Sequence, residues 1–162
     1  MNFSMITSSA LVALFVSGIA GAEPKATNHW LLDAENDEER FKRVEQMFAG
    51  FSGAMAEVGD RYQHTYDAIK DGNYALASYH WDKLRGAIEL GYLRRPGRAA
   101  NAKGLFLETA WPELKEQLTS DDRQAIQQRF QQARSACLAC HVAEEVPFMN
   151  DQPLFRHTAD FK

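Results

Sequence analysis

The two cysteines of this 162-residue chain lie three positions apart, and a histidine follows the second one directly. Cys137, Cys140 and His141 form the pattern C-x-x-C-H within the segment ACLACHVAEE. Three chemistries use a C-x-x-C pair: thioredoxin-like thiol exchange, structural zinc and covalent haem attachment. Haem attachment also explains the histidine, because an imidazole beside the second thiol can bind the haem iron.

The rest of the sequence disfavours the other two chemistries. A thioredoxin-like site needs a βαβ pattern, and we find no strand-like alternation of apolar and polar residues. A structural zinc site needs four ligands, whereas the chain has no further cysteine and only His157 as another histidine nearby. We therefore predict one covalent haem c, with thioether bonds to Cys137 and Cys140 and with His141 as the proximal iron ligand.

The N-terminal segment predicts export. Residues 1–22 carry no charged side chain, and an apolar run from Ala10 leads into the small residues Ala20, Gly21 and Ala22. This pattern is typical of a secretory signal peptide, although the missing Lys or Arg leaves an uncleaved anchor as the alternative. Since covalent haem attachment in bacteria takes place outside the cytoplasm, we expect residues 23–162 to be a periplasmic domain without a membrane span.

The charge and the remaining motifs exclude two broad classes of function. A formal net charge of −4 offers no electrostatic attraction to nucleic acid. The sequence has no nucleophile–base pair and no paired-carboxylate motif, so it does not predict an enzyme.

Apolar residues recur at steps of three and four through most of the chain, which predicts helices. We expect four of them, over 36–70, 74–93, 99–117 and from the capping segment 119–122 to 145. Pro112 should kink or split the third, and the tail after 145 should be extended and packed over the domain. Helices joined by short turns predict an all-α antiparallel four-helix bundle, with the haem near the C-terminus of the fourth helix.

The sixth iron position decides between electron transfer and gas binding, because a methionine there raises the potential and an open position admits small gases. Counting residues from the turns puts Met55 at the same position along the bundle axis as Cys137. It lies on the apolar stripe of the first helix. Met55 is therefore the predicted ligand. Met47, His64 and an open position are alternatives, and Met149 is a weaker candidate.

The haem propionates need cationic partners. Arg94, Arg95 and Arg98 cluster at the second turn, close to the haem end of the predicted bundle. Arginine binds carboxylates with two parallel hydrogen bonds, so we predict propionate contacts from this cluster. We interpret Trp81 and Trp111 as packing anchors.

The motif and the helix pattern resemble the class II c-type cytochromes, the cytochrome c′-like four-helix bundles. A second resemblance, to small helical bacterial monohaem cytochromes, lies in GNYALASYHWDKLRGAIELGYLRRPGRAA (72–100) and ACLACHVAEEVPFM (136–149). The resemblance spans roughly residues 70–149, about half the chain. The chain departs from the cytochrome c′ pattern at Glu145, where that family usually has a basic residue four positions after the haem histidine.

The resemblance implies a periplasmic monohaem c-type cytochrome that carries one electron between redox partner proteins. The alternatives are a cytochrome c′-like protein that binds NO or CO at an open sixth position, and a haem subunit of a larger respiratory complex. A homodimer is possible as well, since aromatic residues on the first helix could pair two copies.

Overall fold

The computed structural model describes residues 29–161, and within this range the chain is all-α and has no strand. The predicted all-α class is therefore confirmed; the predicted signal peptide, residues 1–22, lies outside the described residues. No helix in residues 29–161 is long and apolar enough to cross a membrane. The helices are α1 (Asp37–Met47), α2 (Gly50–Lys70), α3 (Tyr74–Arg94), α4 (Ala99–Ala102), α5 (Ala110–Gln117), α6 (Arg123–Ala143) and α7 (Pro153–His157).

The first predicted helix is wrong as a single element, because the chain breaks after Phe48. Ala49 and Gly50 both have left-handed backbone angles, with φ of 50° and 58°, which ends α1 and starts α2 in a new direction. Glycine adopts this conformation without steric cost, whereas Ala49 must be held in it by its surroundings. α1 itself buries none of its residues, so it contributes little to the core.

α2 and α3 form an antiparallel hairpin, as the turn at 71–73 predicted. Gly72 takes a φ of 76° in this turn, and the Asn73 side chain accepts a hydrogen bond from the backbone N–H of Leu76 and so caps α3. The two helices come close together at Gly91, where a Cβ atom would lie 3.0 Å from that of Ala54. A larger side chain at Gly91 would push the helices apart.

The third predicted helix is divided, and the division lies before Pro112. α4 runs into a π-helical turn, Lys103–Leu107, and the chain breaks again at Glu108 and Thr109. Pro112 then lies in the first turn of α5, where its missing N–H costs no hydrogen bond. The wide turn buries Phe106 and Leu107, and Phe106 also lines the cavity of the candidate site.

α6 begins as predicted, because the Asp122 side chain accepts a hydrogen bond from the backbone N–H of Ala125 and caps the helix. The tail is packed over the domain, as expected, but it is helical rather than extended. It forms a 3₁₀ turn, Pro147–Asn150, followed by α7. Phe155 of α7 is buried in the core, and the Tyr66 hydroxyl donates to the backbone carbonyl of Asp160, 2.7 Å away.

The core lies between α2, α3, α5 and α6. Arg123 at the start of α6 donates to the carbonyl of Lys70 at the end of α2, and Phe130 farther along α6 packs on Tyr62, with ring centroids 4.8 Å apart. These contacts make α2 and α6 antiparallel. On α3, Trp81 donates to the carbonyl of Trp111 and accepts from its indole N–H, which ties α3 to α5.

Candidate haem site

The C-terminal turns of α6 hold the C-x-x-C-H residues at one wall of a cavity of about 520 Å³. Cys137, Cys140 and His141 all line it, since residues three and four positions apart share one face of a helix. The other walls come from α2, α3, the segment 98–107 and the tail. They are mostly apolar and include Phe51, Val58, Tyr62, Ile88, Phe106 and Leu154.

The two cysteines are free, and their surroundings keep them as thiols. Burial raises the pKa of Cys137 to about 12, and burial also raises the pKa of Cys140. Thiol exchange and thiolate metal binding depend on a lowered thiol pKa, often at a helix N-terminus. The pair lies instead near the C-terminus of α6. This environment is opposite to that of a redox-active C-x-x-C pair.

His141 has a partner that the sequence did not reveal. Its Nδ1 lies 2.9 Å from Oδ1 of Asn150, nine residues farther along the chain. The Asn150 amide Nδ2 in turn donates to the carbonyl oxygen of Leu138, 3.1 Å away. Ligating histidines usually have such an acceptor on the second ring nitrogen, and it fixes the direction of the ring.

Among the candidates for the sixth ligand, the structure brings Met55 and Met149 to the cavity. Met55 comes from α2, a wall separate from α6, whereas Met149 belongs to the same 3₁₀ turn as Asn150. Met47 does not line the cavity and is 70% exposed on α1. His64 is also exposed and does not line the cavity; its ring contacts that of His80 in a tilted arrangement, with ring centroids 4.8 Å apart.

Of the three clustered arginines, only Arg98 lines the cavity. Arg94 donates to the carbonyl of Phe48, and Arg95 donates to the carbonyl of Arg94 and packs against Gly50. Arg98 forms an ion pair with Glu144. Like Asn150, Glu144 is a residue of the site that the sequence did not predict.

The Glu144 carboxylate is held at the cavity by two partners. Its side chain is 12% exposed, and it accepts a hydrogen bond of 2.8 Å from Asn101 in addition to the ion pair with Arg98. A propionate that approached Arg98 would therefore meet a guanidinium already paired with a carboxylate. The predicted propionate contacts remain predictions, and the geometry favours Arg98 over Arg94 and Arg95 as the residue that could make them.

Arg98→Gln is expected to lower the midpoint potential of the haem-loaded protein. Removing this positive charge favours ferric iron, and it leaves the negative charge of Glu144 without its ion-pair partner. The change should be on the order of 1 kcal/mol, the size of a charge–charge interaction that solvent partly screens. A spectroelectrochemical titration measures it. Arg94→Gln and Arg95→Gln are the matched controls, and a shift as large in either of them would contradict this assignment.

The volume and the donors of the cavity fit a haem. Its volume lies within the range of about 300–1,000 Å³ that is usual for ligand sites, and its walls are largely apolar. In residues 29–161, no three His, Cys, Asp or Glu side chains converge into a group that could hold a bare metal ion.

Comparisons of the chain with protein-family models, with curated proteins and with solved structures found no match.

Proposed function

We propose that this chain is a periplasmic monohaem c-type cytochrome of the cytochrome c′-like type and that it acts as a one-electron carrier. The observation that carries the proposal is the convergence of Cys137, Cys140, His141 and Met55 on one apolar cavity. Two thiols, an imidazole and a thioether are the groups needed to attach a haem and to bind its iron on both sides.

Each residue has a distinct part in this proposal. Cys137 and Cys140 would form the thioether bonds, each by adding its S–H across one vinyl group of the haem. His141 would bind the iron through Nε2, and Met55 would supply its thioether sulfur from α2. The apolar walls, with Phe51 and Phe106 among them, exclude water from the site. When bound, the haem supplies the one-electron couple.

The packing supports an antiparallel four-helix bundle as the architecture around this haem. Its members would be α2, α3, the interrupted segment of α4 and α5, and α6, with α1 and the tail added outside. Side chains on facing helices of such a bundle commonly build a cofactor site in its core. Val142 and Phe148, one and seven residues after His141, are exposed apolar side chains that redox partner proteins could contact.

A homodimer remains part of the proposal, with α3 rather than α1 as the favoured surface. α3 has a second apolar stripe that faces solvent, formed by Leu76, Tyr79, Leu90 and Leu93. Together with Lys83 and Gly86, which lie between Tyr79 and Leu90, these residues are alternately three and four positions apart. This is the spacing of residues at a helix–helix interface. The molar mass in solution, measured by sedimentation, tests this pairing.

Replacing both cysteines is the test of the proposed function. Produced in a bacterial periplasm with haem attachment, the wild-type chain should keep its haem in acidified acetone, because thioether bonds survive this treatment. Cys137→Ala with Cys140→Ala should release all of it. Ser135→Ala, on an exposed position of the same helix, is the control and should retain the haem. A wild-type chain without covalent haem, or a double variant that keeps it, would refute the proposal.

A further inference from the structure

The side chain of Asn150 connects the tail to the end of α6 through two hydrogen bonds. Asn150 is the last residue of the 3₁₀ turn Pro147–Asn150. One bond, of 3.1 Å, goes from its amide nitrogen to the backbone carbonyl of Leu138, and the other joins its amide oxygen to Nδ1 of His141 at 2.9 Å. All three residues are partly buried, so water competes little for these bonds.

These two bonds determine which ring nitrogen of His141 carries the proton. A backbone carbonyl can only accept, so the Asn150 group that faces Leu138 must be the NH₂. The oxygen of the same amide therefore faces His141, and because this oxygen is also only an acceptor, Nδ1 must be the protonated nitrogen. The lone pair of the neutral ring is then on Nε2, the atom that is free to bind iron.

The ring is also held from the side. Phe155 of α7 makes an edge-to-face contact with it, with centroids 5.7 Å apart. The hydrogen bond at Nδ1 and this contact leave the imidazole one orientation in the cavity wall.

We infer that Asn150 is the positioning residue for His141 and that its hydrogen bond sets the strength of the axial iron bond and thereby the midpoint potential. This inference rests on the proposed function. An acceptor on Nδ1–H gives the ring partial anionic character, which strengthens its donation to iron and favours the ferric state. Loss of such an outer partner typically weakens metal binding about 10- to 100-fold.

Three variants of the haem-loaded protein test this inference. Asn150→Leu removes the acceptor and should raise the midpoint potential, by about 59 mV for each tenfold change in the ferric-to-ferrous preference. Asn150→Asp gives up the bond to the Leu138 carbonyl, because a carboxylate cannot donate, but it offers His141 a charged acceptor, whose hydrogen bonds are roughly twice as strong, and should lower the potential. Gln152→Leu is the matched control, because Gln152 lines the same cavity and bonds the Met149 carbonyl of the same turn, at 2.7 Å, and not His141.

A second measurement distinguishes a change in the strength of the iron–histidine bond from the direct effect of the added charge on the midpoint potential. The iron–histidine stretching frequency is recorded by resonance Raman spectroscopy on the ferrous protein in a Met55→Leu background, in which the sixth position is open. It should fall when Asn150→Leu is added to this background and rise when Asn150→Asp is added. Gln152→Leu should leave it unchanged. Equal effects of Asn150→Leu and Gln152→Leu, or shifts of the two Asn150 variants in the same direction, would overturn the inference. Absence of covalent haem from the wild-type chain would instead refute the proposed function.

Discussion

Met55→Leu is expected to turn the haem-loaded protein into a form that binds carbon monoxide readily and has a lower midpoint potential. Leucine keeps most of the volume of the side chain, so that the packing of α2 changes little, but it removes the sulfur that would bind the iron. A thioether ligand stabilises ferrous iron, and its loss therefore lowers the potential. Absorption spectra with and without carbon monoxide, together with a redox titration, measure both effects.

Two other methionines serve as controls for this experiment. Met47 is mostly exposed on α1, so Met47→Leu should change neither the haem spectrum nor, by more than about 0.5 kcal/mol, the free energy of unfolding. Met149→Leu tests the second methionine of the cavity. If Met149→Leu, and not Met55→Leu, opened the iron to carbon monoxide, the ligand would be Met149. If neither did so, the gas-binding alternative would be favoured.

Trp81→Ala is expected to lower the free energy of unfolding by about 3–5 kcal/mol, the usual cost of truncating a buried tryptophan. Trp81 is fully buried, and its ring makes an edge-to-face contact with Phe106, with centroids 5.6 Å apart. Its indole N–H donates to the carbonyl of Trp111, 2.9 Å away. The variant loses apolar burial and this hydrogen bond together, and it leaves a void beside Phe106 in the cavity wall. Urea unfolding followed by circular dichroism measures the change.

Trp30→Ala provides the comparison. The Trp30 side chain is 44% exposed, and the hydrogen bond that reaches this residue goes from Arg43 to the backbone carbonyl, which the substitution keeps. Its cost should therefore be small, within about 0.5–1 kcal/mol. Equal losses in the two variants would contradict the central place of Trp81 in the core.

The long helices were predictable because their signals are local. In α2, α3 and α6 the apolar period, the turn residues 71–73 and the capping segment 119–122 lie within a few positions of the structure that they specify. The break at Phe48 and Ala49 was missed, because both residues continue the helical composition and nothing local demands a left-handed backbone at an alanine. The helical tail was missed for a related reason. α7 has five residues, too few for a period to be recognised, and Phe155 is stabilised by distant contacts with α2 and α6.

The residues of the candidate site also fall into those that the sequence predicted and those that it did not. The motif alone pointed to Cys137, Cys140 and His141, and residue counting along the helices predicted Met55 at the level of Cys137. All four residues line one cavity, and their roles toward a haem stay predictions. Which of three neighbouring arginines reaches the cavity could not be predicted, because each residue at a helix end points in a different direction. Glu144 was missed because no pattern distinguishes a carboxylate that is paired across the molecule from one that faces solvent.

The sequence by itself determined the all-α class, the one pair of thiols with its adjacent histidine, and the regions where the chain must turn. These features depend on residue type and spacing alone. Only the tertiary structure decided that Asn150 faces His141, that Arg98 pairs with Glu144 and that Met55 shares a cavity with the motif. Each of these contacts joins a different segment to the C-terminal end of α6: the tail at Asn150, the turn after α3 at Arg98, and α2 at Met55. Their geometry follows from the packing of the whole domain, and no short stretch of sequence contains it.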